Sequence, residues 1–200
     1  MRSATLLIFA KPPRIGISKT RLARGLGAAE ARRIATFTLA RTLCAARASG
    51  LRTLVCVAPD GMVRDRASER LFGGLDLAPQ GQGGLTERLT RAFNAAPPGP
   101  VLFVGADAPD VNAPRFKDAV RKLRRHDAVF GPARDGGFWL FGLHKGPRTI
   151  APFEGVRWSG PHAMEDVWSQ LPPRSRIGLL DMLIDIDEAD DWTDWTRRKG

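Results

Sequence analysis

Thr5-Leu-Leu-Ile-Phe-Ala-Lys-Pro-Pro-Arg14, continued by Ile15-Gly-Ile-Ser-Lys-Thr-Arg-Leu-Ala23, decides how the rest of the chain is read. The apolar run Thr5–Ala10 stops at a proline pair. Such a run, bounded by turn residues, is the pattern of a strand buried on both faces. Lys11, Arg14, Lys19 and Arg21 then follow in one loop-like segment. Pro12 and Pro13 restrain its backbone, Gly16 loosens it, and Lys19-Thr20-Arg21 lead into a helical stretch. Lys and Arg on a restrained backbone suit phosphate oxygens, and a solvated basic turn is the alternative. The spacing is neither that of a Walker loop nor that of a dinucleotide fingerprint.

The same pattern recurs. Thr53–Ala58, Val101–Gly105 and Ala128–Gly131 read as further buried strands, joined later by Phe138–Leu143 and a strand near Arg176–Leu180. Helical periodicity lies between them over Ala28–Ala48, Val63–Leu71, Leu85–Ala95 and Ala113–Leu123, with Gly50 placed to end the first. Pro161–Leu171 and Glu188–Arg198 supply the last two helices. Strand and helix in alternation predict an α/β fold with a parallel sheet covered on both faces. No linker or repeat divides the 200 residues, so one domain over 1–200 is expected.

Composition narrows the partners. The chain is 43% hydrophobic and carries a formal charge of +10 from 31 basic and 21 acidic residues, which favours anionic ligands. A basic nucleic-acid-binding module is the remote alternative, but no helix-turn-helix, RNP-like or zinc-finger pattern supports it. No run approaches membrane-spanning length. Cys44 and Cys56 read as buried free thiols of a cytoplasmic protein. His126, His144 and His162 have neither metal spacing nor a companion nucleophile.

In open α/β sheets, ligands bind beyond the carboxyl ends of the strands. Gly105-Ala-Asp-Ala-Pro-Asp110 follows one such end. Asp107, inside that turn, is placed to hold a divalent cation bridging phosphates; Asp110 reads as the cap of the next helix. Arg134-Asp135-Gly136-Gly137 follows another strand and has the form of a hairpin turn. Gln80-Gly-Gln-Gly-Gly84 precedes the helix bearing Arg88 and could present backbone N–H groups to a base or phosphate. Asp185-Ile-Asp187 offers a second carboxylate to accompany Asp107, and Glu188 to Asp191 suit a helix N-terminus.

Taken in order, these motifs resemble those of the small GT-A-type glycosyltransferases, a group once classed as a domain of unknown function and often linked to arsenosugar biosynthesis. Relatives of that group are the nucleotidyltransferases that make guanylylated phospholactate. The resemblance is carried by Phe9–Ala23, Gln80–Leu89, Gly105–Asp110, Gly131–Leu143, Trp158-Ser159 and Asp185–Asp187, and runs from about Leu6 to Trp192. It implies a three-layer α/β/α nucleotide-diphospho-sugar transferase fold: a mainly parallel mixed sheet with one reversed strand and helices on both faces.

The implied activity is metal-dependent transfer of a sugar from a nucleotide-diphospho-sugar to a small-molecule acceptor. The runner-up is nucleotidyl transfer from an NTP to a phosphorylated small molecule with release of pyrophosphate. Lys11, Arg14, Lys19 and Arg21 would face donor phosphates, and Gly83, Gly84 and Arg88 would lie near the nucleotide. Asp107 and Asp187 would hold Mg²⁺ or Mn²⁺. Asp107, Lys19 and Asp135 would be the catalytic groups, with Asp135 as candidate base. Gly136, Gly137, Phe138, Trp158 and Ser159 would border the acceptor. The chain departs from the family at Phe138, where Tyr is usual, at Gly84 in place of Asp, and at Glu188-Ala189 in place of Thr-Pro. Oligomeric state stays open.

Overall fold

The computed structural model describes residues 3–14 and 19–199; Gly16, expected to loosen the first loop, lies outside them. β1 (Thr5–Ala10) is an interior strand of a seven-stranded sheet. Its neighbours are β2 (Arg52–Val57) and β4 (Gly99–Val104), both parallel to it. β3 (Asp76–Pro79) extends the sheet beyond β2. On the other side β6 (Phe138–Lys145) runs antiparallel to β4 and to β5 (Ala128–Pro132), and β7 (Ile177–Leu179) closes that edge parallel to β5. The order is β3-β2-β1-β4-β6-β5-β7, with β6 the reversed strand. The fold is a three-layer α/β of the nucleotide-diphospho-sugar transferase type.

Alternating side chains of each strand feed two cores. Leu6, Ile8, Val55, Leu102 and Val104 pack under α2 (Ala28–Ser49) and α5 (Ala113–Lys122), through Leu39, Leu43, Phe116 and Ala119. Leu7, Phe103, Phe130 and Phe141 face α4 (Leu85–Ala95) and α6 (Ala163–Ser169), through Leu89, Phe93 and Val167. Leu89 and Phe93, four residues apart, place one apolar stripe of α4 on the sheet, while Leu85, one turn before them, stays exposed. Burial of each such large side chain stabilises the fold by roughly 1.5–3 kcal/mol. α1 (Thr20–Leu26) and α7 (Ala189–Arg197) meet the end of α2 in a third cluster around Leu22, Ile34 and Ile186. Among the described residues no helix is long and apolar enough to cross a membrane.

Several local expectations change. The segment expected as one helix over Val63–Leu71 is a 3₁₀ turn, Asp60–Arg64, followed by α3 (Arg66–Phe72), because Asp65 accepts from the Ala67 N–H and starts a new helix. Asp110 does not cap α5. Asn112 does, its side chain accepting from the Arg115 N–H, since Ala113-Pro114 fixes the first turn two residues further on. Asp110 instead receives the Trp195 indole N–H and pairs with Lys199. Cys56 is buried, and burial pushes its thiol up to about 12, but Cys44 is exposed on α2. Gly50 ends α2 as expected, in the left-handed conformation at φ 68°.

Candidate functional site

β1 and β4 are adjacent, and the helices that follow them, α2 by way of α1 and α5, pack on the same face of the sheet. A crevice lies at the carboxyl ends of these two strands, the usual ligand position in such sheets. The segment after β1 brings Lys11, Lys19 and Arg21 to it, and the turn after β4 brings Asp107. Asp187 arrives from the segment before α7, which is docked on that turn by the Ile186 N–H donating to the Asp107 carbonyl at 3.1 Å. The Gly84 end of the 80–84 loop starts α4, which contributes Leu85 and Arg88. Together they line a cavity of about 420 Å³.

Lys19 is the hub. Its Nζ lies 2.6 Å from Asp107 Oδ1 and 2.8 Å from Asp187 Oδ1, and it donates to the Ile186 carbonyl. The side chain is only 6% exposed, and its backbone is left-handed at φ 54°, a costly state for a non-glycine residue. Burial alone would lower the Lys19 pKa, but the two carboxylates outweigh it and hold it above its ordinary value. Burial would likewise raise Asp187, yet Lys19 and Arg21 hold its carboxyl below the usual range. Arg21 reaches Asp187 Oδ2 at 2.8 Å. Asp185 is the opposite case: burial, then the charges of Asp107 and Asp187, push it well above the ordinary carboxylate value.

A second cavity of about 190 Å³ shares the Phe9 and Leu85 wall with the first. Asp135, Gly137, Phe138, Trp158, Ser159 and Asp185 line it. The β5–β6 turn builds one side: Asp135 Oδ1 accepts from the Gly137 N–H at 2.9 Å, and Gly137 O accepts from the Ala133 N–H. Gly136 stands at φ 86°, and its close neighbour is backbone. A methyl there would lie 2.6 Å from Pro161 Cα, with the Pro161 carbonyl oxygen closer still. Trp158 builds the other side, its indole N–H donating to Thr86 Oγ1 at 2.8 Å, and Phe138 meets it edge-on at 6.2 Å.

The crevice thus gathers Lys11, Lys19, Arg21, Arg88, Asp107 and Asp187 in the larger cavity, and Asp135, Gly137, Phe138, Trp158 and Ser159 in the smaller. Gly136 supports the smaller cavity from behind. Arg14 is elsewhere, paired with Asp65 at the head of α3. Gly83 and Gly84 lie beside the larger cavity without lining it; the Gly83 carbonyl accepts from Arg88 Nε at 2.8 Å.

Sequence reasoning gave no site role to Thr20, Leu85 or the Gln80 side chain, and it preferred Asp187 to Asp185 as the second carboxylate. Gln80 is buried, with its amide donating to the Cys56 carbonyl at 2.9 Å, and its own carbonyl accepts from Arg91. These bonds fix the glycine-rich loop. For Asp185 the signal was present: residues two apart in an extended segment share a face.

Among the described residues, no three His, Cys, Asp or Glu side chains form a ready-made metal cage. What the site offers is two carboxylates converging on one cationic point, with a third behind them. Carboxylate oxygens are hard donors, and Mg²⁺-type ions are commonly held by one or two of them plus substrate phosphates. The donor set fits such an ion.

Residues 41–160 match the sequence profile of the family described as Uncharacterized protein conserved in bacteria (DUF2064). No curated protein matches the chain. Among solved structures, one from Desulfovibrio desulfuricans G20, provisionally assigned as a nucleotide-diphospho-sugar transferase, is 25% identical with a TM-score of 0.85, covering 100% of this chain and 88% of its own. The 4-diphosphocytidyl-2C-methyl-D-erythritol synthase of Anaerococcus prevotii DSM 20548 superposes with a TM-score of 0.61 at 10% identity, covering 99% of this chain and 98% of its own. Rv0371c of Mycobacterium tuberculosis H37Rv, solved in complex with manganese, reaches a TM-score of 0.57 at 15% identity, over 96% and 97%. The last two likenesses speak to the fold.

Proposed function

The chain belongs to the family described as Uncharacterized protein conserved in bacteria (DUF2064), and we propose that it is a metal-dependent transferase that moves a sugar from a nucleoside-diphosphate-sugar to a small-molecule acceptor. The observation that carries this reading is the convergence of Asp107 and Asp187 on the Lys19 ammonium, at 2.6 and 2.8 Å, in a cavity also lined by Lys11, Arg21 and Arg88. A donor diphosphate needs compensation for the charge that grows on it as the bond to the sugar breaks. Positioned cations supply that compensation best where they are already oriented and partly out of water.

In this scheme Asp107 and Asp187 would hold the divalent ion, which would supply Lewis-acid stabilisation of the diphosphate. Lys19, Lys11, Arg21 and Arg88 bind and orient the phosphate oxygens. Phe9 and Leu85 separate donor from acceptor, and Asp135 is positioned to receive the acceptor's hydroxyl proton. The manganese complex of Rv0371c and the provisional assignment of the Desulfovibrio protein agree with this reading.

Nucleotidyl transfer is the second reading, favoured by the number of cations in the larger cavity and by the fold shared with the Anaerococcus synthase. A thermal-shift screen of sugar nucleotides and NTPs, each with Mg²⁺ and Mn²⁺, tests both. Metal-dependent stabilisation by a sugar nucleotide, followed by release of nucleoside diphosphate on turnover, is expected. Pyrophosphate release from an NTP without sugar-nucleotide turnover would replace the first reading with the second.

A further inference from the structure

The two cavities divide the ionisable residues unequally. The larger is lined by Lys11, Lys19, Arg21 and Arg88 as well as by Asp107 and Asp187. In the smaller, the ionisable lining residues among those described are Asp135 and Asp185, both acidic. This holds in a chain of formal charge +10, where a cation near any cleft is the ordinary outcome. The remainder of the smaller cavity is small, aliphatic or aromatic, including Leu85, Leu89 and Val104. Trp158 has its indole N–H committed to Thr86, which in turn donates to the Phe153 carbonyl at 3.0 Å, so the ring is fixed and offers its apolar surface. Phe138 adds an aromatic ring without a hydroxyl.

From this we infer that the acceptor bound in the smaller cavity is a compact, uncharged hydroxyl compound, such as a polyol or an unphosphorylated sugar, and not a phosphate ester. The inference rests on the transferase reading above and adds to it the acceptor's class. A phosphate monoester needs cationic partners to replace its water. Among the described lining residues it would meet two carboxyl groups and no cation. A polyol has hydroxyls for Asp135 and Ser159 to bond, and C–H faces for Phe138 and Trp158 to cover. The cavity, at about 190 Å³, limits it to a small molecule.

The transfer then balances without a further reactant. The acceptor oxygen forms a bond to the anomeric carbon of the sugar. The bond from that carbon to the diphosphate oxygen breaks, and its electron pair leaves with the nucleoside diphosphate. The hydroxyl proton passes to the Asp135 carboxylate and from there, since Asp135 is exposed, to water.

Collisional quenching of tryptophan reports the charge preference of the cavity before any acceptor is known. The Trp158 contribution is isolated as the difference between the wild-type protein and Trp158→Phe. Trp168, 42% exposed on α6 and outside this cavity, serves as the control through Trp168→Phe. Neutral acrylamide is expected to quench both. Iodide is expected to quench Trp168 readily and Trp158 about five-fold less, relative to acrylamide, because the Asp135 carboxylate repels it. Asp135→Asn, an exposed change that leaves the core untouched, is expected to raise iodide quenching of Trp158. Equal iodide and acrylamide access to Trp158 would overturn the proposal. So would faster release of nucleoside diphosphate with glycerol 3-phosphate than with glycerol, using whichever sugar nucleotide the thermal-shift screen finds. Failure of every sugar nucleotide to bind would overturn the transferase reading instead, while the iodide comparison would still decide the charge class of the cavity.

Discussion

The larger cavity is made by strand ends of the parallel half of the sheet and is held together by charge, whereas the smaller is made by the β5–β6 hairpin and its neighbours and is held together by aromatic packing and backbone contact. Phe9 and Leu85 belong to both walls. Parallel strands need long crossovers, so each strand end carries a loop free to present charged side chains. The antiparallel hairpin turns back at once, which leaves short, rigid backbone and ring faces. Under the proposed function, charge compensation would fall to one half and shape selection to the other.

Removing Asp107 should break the charged side most severely. Asp107→Ala is expected to abolish metal-dependent stabilisation by nucleotides and to lower turnover about 10²–10³-fold, the usual cost of one well-aimed stabilising group. The fold should persist, because the side chain is 44% exposed and the bond from the Ile186 N–H uses the backbone carbonyl of Asp107. Unchanged nucleotide-plus-Mn²⁺ stabilisation in a thermal-shift assay would remove Asp107 from the site.

The corresponding break on the aromatic side is Gly136→Ala. Its methyl would press on the Pro161 backbone at a residue whose φ is already 86°, so neither partner can yield easily. A loss of about 2–4 kcal/mol in unfolding free energy is expected. Variant protein that remains folded should keep nucleotide binding and lose acceptor use. Loss of both together would show that the two cavities are not separable.

Lys19→Met sharpens the comparison from within the charged half. It leaves Asp107 and Asp187 facing each other without their shared ammonium. Lys19 is buried but its partners are partly exposed, so the cost should fall between that of a surface and a buried pair, about 2 kcal/mol. Added Mn²⁺ should stabilise the variant more than the wild type, since the cation no longer competes with Lys19. Equal or smaller stabilisation would mean that metal and ammonium do not share the carboxylates.

These contrasts also explain what the sequence disclosed. β1, β2 and β4 are covered on both faces, so their residues form apolar runs that are legible without a partner. β3 is a four-residue, half-exposed edge strand that begins with Asp76 and ends with Pro79, and nothing in its pattern distinguishes it from a loop. Asp107, Asp187 and Lys19 were legible as polar residues next to strand or helix ends. That Lys19 reaches Asp187, 168 residues away, and that Arg14 turns instead to Asp65, are matters of tertiary packing that no local window contains. Cys44 was misplaced for a related reason: α2 is so rich in Ala and Arg that its buried face has little contrast with its exposed one.

The smallest expected effect concerns how Trp158 is held. The Asp166 carboxylate accepts from Arg157 Nη2 at 2.7 Å and from both Nε and the backbone N–H of Arg157 at 2.9 Å, tying the residue before Trp158 to α6. The hydrogen bonds from the Arg157 side chain, then from its backbone, press the Asp166 pKa from 3.8 to about 2. A folded-state pKa below the unfolded value contributes stability that is fully present above about pH 4 and is lost as pH falls toward 2. Asp166→Asn should therefore be slightly less stable than wild type at neutral pH, with the two unfolding curves converging as pH approaches 2. Because the tie serves only the aromatic wall, the variant should bind nucleotide and metal normally while acceptor binding weakens. A constant stability difference between pH 7 and pH 2 would show that the carboxylate's charge contributes nothing to holding that wall.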